Sequence, residues 1–467
     1  MCDTFVVVRP EGVLFAKNSD RDPNEAQRIE WHPAREHAPD ATVRCTWRTI
    51  PQARRTRATT LSRPFWMWGA EMGTNDAGLC VGNEAVFVRG GSARDGLTGM
   101  DLVRLVLERA GSVDEGVEVL RALLQTHGQG GRCGYDSASF RYDNSFLLAD
   151  ATGAAVVETA GRELAAERVT SGARAISNGL SIEPFATRHA DRLRTHVARA
   201  AVRRERVTCL AANATTPADA AAVLRDHGPG RHGPGAHGPG GHGPGGHGAR
   251  GHGLHDATTP GGAAAPRTAL RDARYSWISG AMGAPCMHAG GWIAASQTVG
   301  SWISWLTPAS QRHWATGSAA PCLSVFHPLP GPDPACSLDA AAAQALLGTP
   351  DGAPDPTSWW WAVERLHRSA LTSPNTLPSS FHAERDELEA RLGTIASDPV
   401  EHGRFDEHHA AARAWLARWT TWLDQQPAHD ERPRWLRARW ARWQRQAARG
   451  SRFLPWDDQR GVTATRP

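Results

Sequence analysis

A cysteine directly follows the initiator methionine in this chain of 467 residues. Cysteine is small enough for the usual removal of Met1, which would leave Cys2 with a free α-amine. One residue would then carry a nucleophile and a base, since a thiol titrates near about 8.5 and an α-amine near about 7.7–8.0. No second residue has to be recruited to deprotonate the sulfur. The run Lys17-Asn18-Ser19-Asp20-Arg21 supplies the charges such a site needs. A carboxylate can hold an α-ammonium, and cations can lower a thiol pKa. Lys17 is the single lysine among 52 basic residues, and asparagine is also scarce. A rare residue type in a biased chain hints that its position resists substitution.

These residues need elements to bring them together. Residues 4–8 are β-branched and apolar, residues 9–12 (RPEG) carry turn chemistry, and residues 13–16 are apolar again, which predicts a hairpin. With a four-residue turn the cross-strand partners sum to about 21, which sets Cys2 opposite Ser19 with Asn18 and Asp20 beside it. The alternative is a polar loop with Asp20 and Arg21 paired on the surface. Residues 77–89 read as a strand or pair of strands. Thr98 caps a helix over 100–110, and Ser112 with Glu115 forms a capping box for the next, to His127. Strand-like stretches and turns alternate over 145–180, and a helix is predicted from 188 to about 206.

Composition narrows the function classes. With 40% hydrophobic and 21% charged residues, the chain has the balance of a globular protein of this length. No apolar run of about 18 residues is present, so no membrane span is expected. The N-terminus lacks a secretory pattern, and the cytoplasm is the expected address. A net charge of +4 gives no chain-wide case for nucleic acid. The eight cysteines contain no C-x-x-C pair, which suggests neither a zinc site nor a disulfide framework. His288 (CMHAGG) and His367 (RLHR) read as isolated pocket or structural residues, and no metal or cofactor is expected.

Two stretches stand apart. Residues 227–255 repeat the unit HGPGX with seven histidines, reading as a disordered insertion or, alternatively, a loose Ni²⁺ or Zn²⁺ binder. From 358 the pattern is helical, over WWWAVERLHRSAL, 381–392, 405–423 and 434–448. Trp415, Trp419, Trp422 and Leu423 share one helix face, read as core in preference to a membrane-interface face. Residues 432–452 hold eight arginines and no acid. They read as a solvated face stacked on Trp435, Trp440 and Trp443, with nucleic acid or anionic lipid as the alternative.

Several blocks resemble a known family: MCDTFVV with GVLFAKNSDRDPNEAQ, WGAEMGTNDAGLCVGNEAVF, AISNGLSIE, APCMHAGG with SQTVGSW, and WWWAVERLHRSAL. In this order, over residues 2–371, they are similar to the secernins and the related C69 dipeptidases. The resemblance implies an N-terminal-nucleophile hydrolase, an α+β fold in which two antiparallel sheets lie between helical layers (αββα), as a domain over 2–375. The insertion that interrupts it at 226–265 is read from composition. The Trp/Arg-rich helical region at 376–450, a C-terminal helical extension, and the flexible tail at 451–467 match the family only loosely and are peculiar to this chain.

The activity implied is cysteine dipeptidase chemistry with Cys2 as nucleophile. The substrate is then a small peptide, or alternatively an N-acyl amide for hydrolysis or acyl transfer. Neither nucleic acid nor membrane is an expected partner, and self-association stays open. Some secernins instead convert the N-terminal residue to an electrophilic carbonyl, which leaves a non-hydrolytic regulatory role as a further alternative.

Wider relatives of the bile-salt-hydrolase type carry a basic residue and an aspartate three apart. Lys17 and Asp20 match, with lysine where those enzymes usually have arginine. Asn83 and Asn178 match their two asparagines, and Arg271 and Arg274 are candidates for their late arginine. The expected roles are Asp20 on the α-ammonium, Asn83 as oxyanion donor and Asn178 positioning the amine or the substrate carbonyl. Lys17 or Arg21 would receive a substrate carboxylate. Each asparagine could instead cap backbone groups at a strand end.

Overall fold

The structure is a computed structural model that describes residues 1–228, 282–291, 296–332, 340–372, 377–395, 402–426, 430, 432–451, 453 and 456. Arg271 and Arg274, and all but the first two residues of the HGPGX repeat, lie outside the described residues.

The N-terminal hairpin forms as the pattern predicts. Strand β1 (Asp3–Arg9) pairs antiparallel with β2 (Gly12–Arg21), from Asp3↔Asn18 to Arg9↔Gly12, so partners sum to 21 as expected. Gly12 closes the turn at φ 152°, and a Cβ there would sit 2.8 Å from the Leu306 carbonyl oxygen. Both faces of the hairpin are buried, which explains a run of apolar residues where a half-exposed pair would alternate with polar ones. Val6, Val8, Val13 and Phe15 enter one core cluster, and Phe5, Val7, Leu14 and Ala16 enter another.

The hairpin lies within a six-stranded antiparallel sheet. Its order is Gly172–Ile176, β1, β2, Gln297–Leu306, Gln311–Ala315 and His327–Leu329. A seven-stranded antiparallel sheet packs against it, in the order Glu163–Val169, Gly153–Ala160, Asp143–Asp150, Cys80–Val86, Met72–Asn75, Thr59–Pro64 and Gln27–His32. Helices α1 (Gly99–Arg109) and α2 (Val113–His127) cover the second sheet, and helices Ala200–Ala211 and Pro217–Leu224 cover the first. This is the four-layer αββα sandwich.

Local chemistry fixes several boundaries. Thr98 and Asp101 form a complete capping box on α1. Ser112 caps α2, but Glu115 bonds the Gly111 N–H and not the cap residue, so that box is half made. The single helix expected over 188–206 is three: Phe185–His189, Arg192–Val197 and Ala200–Ala211. Asp191 starts a new helix by accepting from the N–H groups of Leu193 and Arg194, and Arg199 at φ 51° breaks the next junction. Residues 323–327 (LSVFH), whose composition is β-like, form a strand only at the end: Leu323 closes the 3-10 turn Pro321–Leu323, and the strand begins at His327.

The C-terminal helices share the central core. Trp415, Trp419 and Leu423 are buried with Trp359, Trp440 and Trp443 in the cluster that contains Val6 and Phe15, so the Trp stripe is core. Arg439 stacks over Trp443 at 5.2 Å and Arg432 over Trp440 at 5.9 Å. Among the described residues, no helix is long and apolar enough to cross a membrane.

Candidate active site

The hairpin carries Cys2 into the interior, where it is 5% exposed. Its Sγ accepts from the Asp20 N–H at 3.2 Å, and its own N–H donates to Asn178 Oδ1 at 2.9 Å. The Met1 ammonium donates to the Asp20 carbonyl at 3.0 Å. Asp20 Oδ1 accepts from the Thr298 hydroxyl at 2.6 Å, while Oδ2 is buried without a partner among the described residues. A buried carboxylate oxygen of this kind is costly unless a cation meets it. Burial pushes the Asp20 carboxyl up to about 6, against the pull of the terminal ammonium. With Met1 in place, burial also pushes the Cys2 thiol up to about 12, although Lys17 pulls it down.

Lys17 is fully buried. Its Nζ donates to the Asn83 carbonyl at 2.6 Å and pairs with Glu84 at 3.3 Å. Burial pulls its pKa down, but the neighbouring Cys2, Glu84 and Glu71 outweigh that and hold it above the ordinary value. Glu84 is pushed up to about 8 by burial, with Lys17 opposing. Gly82 makes room for the lysine stem, since a Cβ there would fall 2.6 Å from Lys17 Cδ.

Asn83 Nδ2 donates to Asn144 Oδ1 at 3.0 Å and lies 3.6 Å from the Met100 sulfur. The Tyr142 hydroxyl meets the same sulfur at 3.4 Å. Arg21 is buried between Glu25 (2.6 Å) and Glu71 (2.5 Å), and donates to the Cys133 carbonyl at 2.7 Å. The charges of Lys17 and Arg21 are therefore engaged by internal carboxylates. The geometry offers no support for either as the receiver of a substrate carboxylate.

One buried residue of this site escaped the sequence reading. Arg203 donates to the Cys2 carbonyl at 3.1 Å, to Asp3 at 2.6 Å and to Asn178 Oδ1 at 2.6 Å. It sits in the run AVRRERV, where nothing in the sequence separates it from the adjacent arginines. Asn178 Nδ2 donates to the Ala85 carbonyl at 2.9 Å, which completes its bonding. Thr298 and Asn144 were also missed, since a single hydroxyl or amide on a strand carries no spacing signal.

A second cluster corrects the expectation that His288 is isolated and that the cysteines have no metal-site pattern. Ligand atoms of His227, Cys286, His288 and Cys322 all lie within 4.8 Å of one another. The His288 ring also meets His367 at 2.8 Å. Burial pushes both thiols up, but at Cys322 the hydrogen bonds and charges of Cys286, His288 and His227 outweigh it and pull the thiol down.

The family model for acyl-coenzyme A:6-aminopenicillanic acid acyl-transferase matches residues 7–179. The two antiparallel sheets between helical layers are the arrangement that the resemblance to N-terminal-nucleophile hydrolases implied. Among solved structures, a penicillin V acylase from Agrobacterium tumefaciens is 13% identical, with 73% of this chain and 88% of that one covered at TM-score 0.38. A conjugated bile acid hydrolase from Clostridium perfringens is 14% identical at TM-score 0.28, with 39% of this chain covered. The match spans 55% of the hydrolase, about half its length. A Caenorhabditis elegans ortholog of N-acylethanolamine-hydrolyzing acid amidase is 11% identical at TM-score 0.25, with 46% and 87% covered. The family-model match lies in the part of the chain that holds the hairpin, Asn83 and Asn178, and nothing in these matches singles out the secernins or the C69 dipeptidases.

Proposed function

We propose that this protein hydrolyses amide bonds with Cys2 as an N-terminal nucleophile, and that its substrates are N-acyl amides. The observation that carries this reading is the buried Oδ2 of Asp20, unpartnered among the described residues, beside a Cys2 whose sulfur and nitrogen are already held by Asp20 N–H and Asn178. Removal of Met1 turns the Cys2 nitrogen into an α-amine, and Asp20 is the carboxylate that would hold its ammonium form.

In the first half-reaction the α-amine takes the thiol proton and Sγ attacks the acyl carbon. The Asn83 amide, whose second N–H faces only the weakly accepting Met100 sulfur, is the oxyanion donor, and loss of such a donor typically costs about 10²–10³ in rate. The ammonium then protonates the leaving amine, and a thioester remains on Cys2. In the second half-reaction the amine deprotonates water, which releases the acid. Lys17 stabilises the thiolate through space, and Asn178 and Arg203 are positioning residues for the Cys2 backbone.

The acyl-amide substrate is favoured because the cations of the site are neutralised internally, while Met67 and Met100 lie against Arg21. Dipeptide hydrolysis is the second reading, and the sequence blocks shared with C69 dipeptidases favour it. A panel of N-acyl amides and dipeptides, assayed with wild type and Cys2→Ala, tests both. We expect turnover of acyl amides that Cys2→Ala loses by about 10⁴-fold or more. Cleavage by Cys2→Ala would end the proposal, and turnover of dipeptides alone would reverse the substrate assignment.

A further inference from the structure

We infer that His227, Cys286, His288 and Cys322 form a tetrahedral binding site for a zinc-class divalent cation, separate from the Cys2 site. Zinc held by two imidazoles and two thiolates has Zn–N of about 2.0–2.1 Å and Zn–S of about 2.3 Å. Tetrahedral geometry then gives ligand separations of about 3.3–3.4 Å for N···N and about 3.6 Å for N···S. Here His227 Nε2 and His288 Nε2 are 3.1 Å apart, and His288 Nε2 is 3.7 Å from Cys286 Sγ and 3.5 Å from Cys322 Sγ. Four ligands drawn together to this spacing leave no position for water or substrate, which marks a structural site and not a catalytic one. Two sulfur and two nitrogen donors, with no oxygen, select against Mg²⁺ and Ca²⁺.

The surroundings fix the ligand chemistry independently. Glu364 accepts from His367 Nδ1 at 2.9 Å and also from Gln297 and Arg368, so it is held as a carboxylate. His367 Nε2 is then the acceptor for the His288 Nδ1 proton at 2.8 Å. That relay leaves His288 Nε2 as a lone pair aimed at the two sulfurs. A carboxylate-backed imidazole of this kind is the usual outer support of a metal-bound histidine.

The ligands come from three places in the chain. His227 follows the helix Pro217–Leu224, Cys286 and His288 lie in a loop segment, and Cys322 lies in the 3-10 turn Pro321–Leu323. His227 and His288 are 61 positions apart and bracket the long insertion, of which His227 is the first repeat histidine. A metal that joins such distant positions offsets a large loop-closure entropy. The cluster also adjoins the Cys2 site. Met287, between two ligands, donates its N–H to the Thr298 hydroxyl at 3.0 Å, and that hydroxyl holds Asp20.

The experiment uses the full chain, produced with zinc supplied and without oxidant. Dialysis against nitrilotriacetate removes metal held loosely by the repeat histidines, and metal analysis follows. We expect about one zinc per chain to remain, and Co²⁺ exchanged into the site to show tetrahedral ligand-field bands with thiolate-to-cobalt charge transfer. Imidazoles of the repeat alone cannot produce the charge-transfer band. Cys322→Ser and Cys286→Ser should each lose most of it. The wild-type spectrum stands as a test even if a variant fails to fold. Less than about a tenth of an equivalent of retained metal, a cobalt spectrum without thiolate bands, or a Cys286–Cys322 disulfide in the peptide map overturns the inference.

Discussion

Two buried sulfur sites lie side by side in this molecule, and their neighbours give them different chemistry. Cys2 has one sulfur, an amide N–H at 3.2 Å, a lysine nearby and a carboxylate oxygen without a partner among the described residues. Cys286 and Cys322 converge with two imidazoles, and no carboxylate belongs to that ring of ligands. The first arrangement leaves a proton to be moved and a charge to be met, as a nucleophile requires. The second gathers four nitrogen and sulfur ligand atoms within 4.8 Å of one another, as a bound ion requires. Burial raises the cost of an unpaired charge in both, and it is the missing partner that differs.

The largest effect that would sharpen this contrast is at Arg203. Its guanidinium joins Asp3, Asn178 and the Cys2 carbonyl with no solvent exposure. Arg203→Met leaves Asp3 buried without its partner, and we expect about 3–5 kcal/mol of lost stability in denaturant unfolding. A loss well under about 1 kcal/mol would mean that the ion pair does not hold the N-terminus in place. Zinc content, read on the same variant, should be unchanged if the two sites are separate.

Asp20 comes next. A carboxyl raised to about 6 is neutral below that pH and ionised above it, so a rate that needs the carboxylate rises as pH passes upward through this range. The α-ammonium of the processed enzyme moves that limb lower. The sign for stability is opposite: the contribution is present below the unfolded carboxyl value and is lost as pH rises through about 6. Asp20→Asn should cost about 10²-fold in kcat/KM and flatten the acid limb. An acid limb that persists in Asp20→Asn would transfer the titration to another group.

The smallest expected effect is at Lys17. Arg is bulkier than Lys, and the stem already lies where a Gly82 Cβ would be 2.6 Å away. Overpacking of this kind typically costs about 1–3 kcal/mol, so Lys17→Arg should lower activity about tenfold. Unchanged kinetics would make the lone lysine an accident of composition.

The legibility of the two sites differs for a physical reason. The hairpin is local: one turn sets the register, so the apposition of Cys2 and residues 18–20 could be read from contiguous residues, and Asp3↔Asn18 bears the register out. The alternative of a surface loop fails, because Asp20 and Arg21 are buried. The helix starts at Thr98 and Ser112 were legible from their capping residues, whereas the layered fold was implied only by the family resemblance. The His/Cys cluster was not, since its ligands come from separate segments and only Cys286 and His288 are near in sequence. Arg203 was hidden by the arginine-rich composition, which makes any one arginine uninformative. The breaks at Asp191 and Arg199 were missed because a helical composition runs on through both.

The most direct test of the central claim is the intact mass and N-terminal peptide of enzyme quenched in acid during turnover of an N-acyl amide. The account predicts a chain that begins at Cys2, with one acyl group bound to that residue as a hydroxylamine-labile thioester. A chain that retains Met1 while turning over substrate, or an acyl group on any other residue, would contradict it.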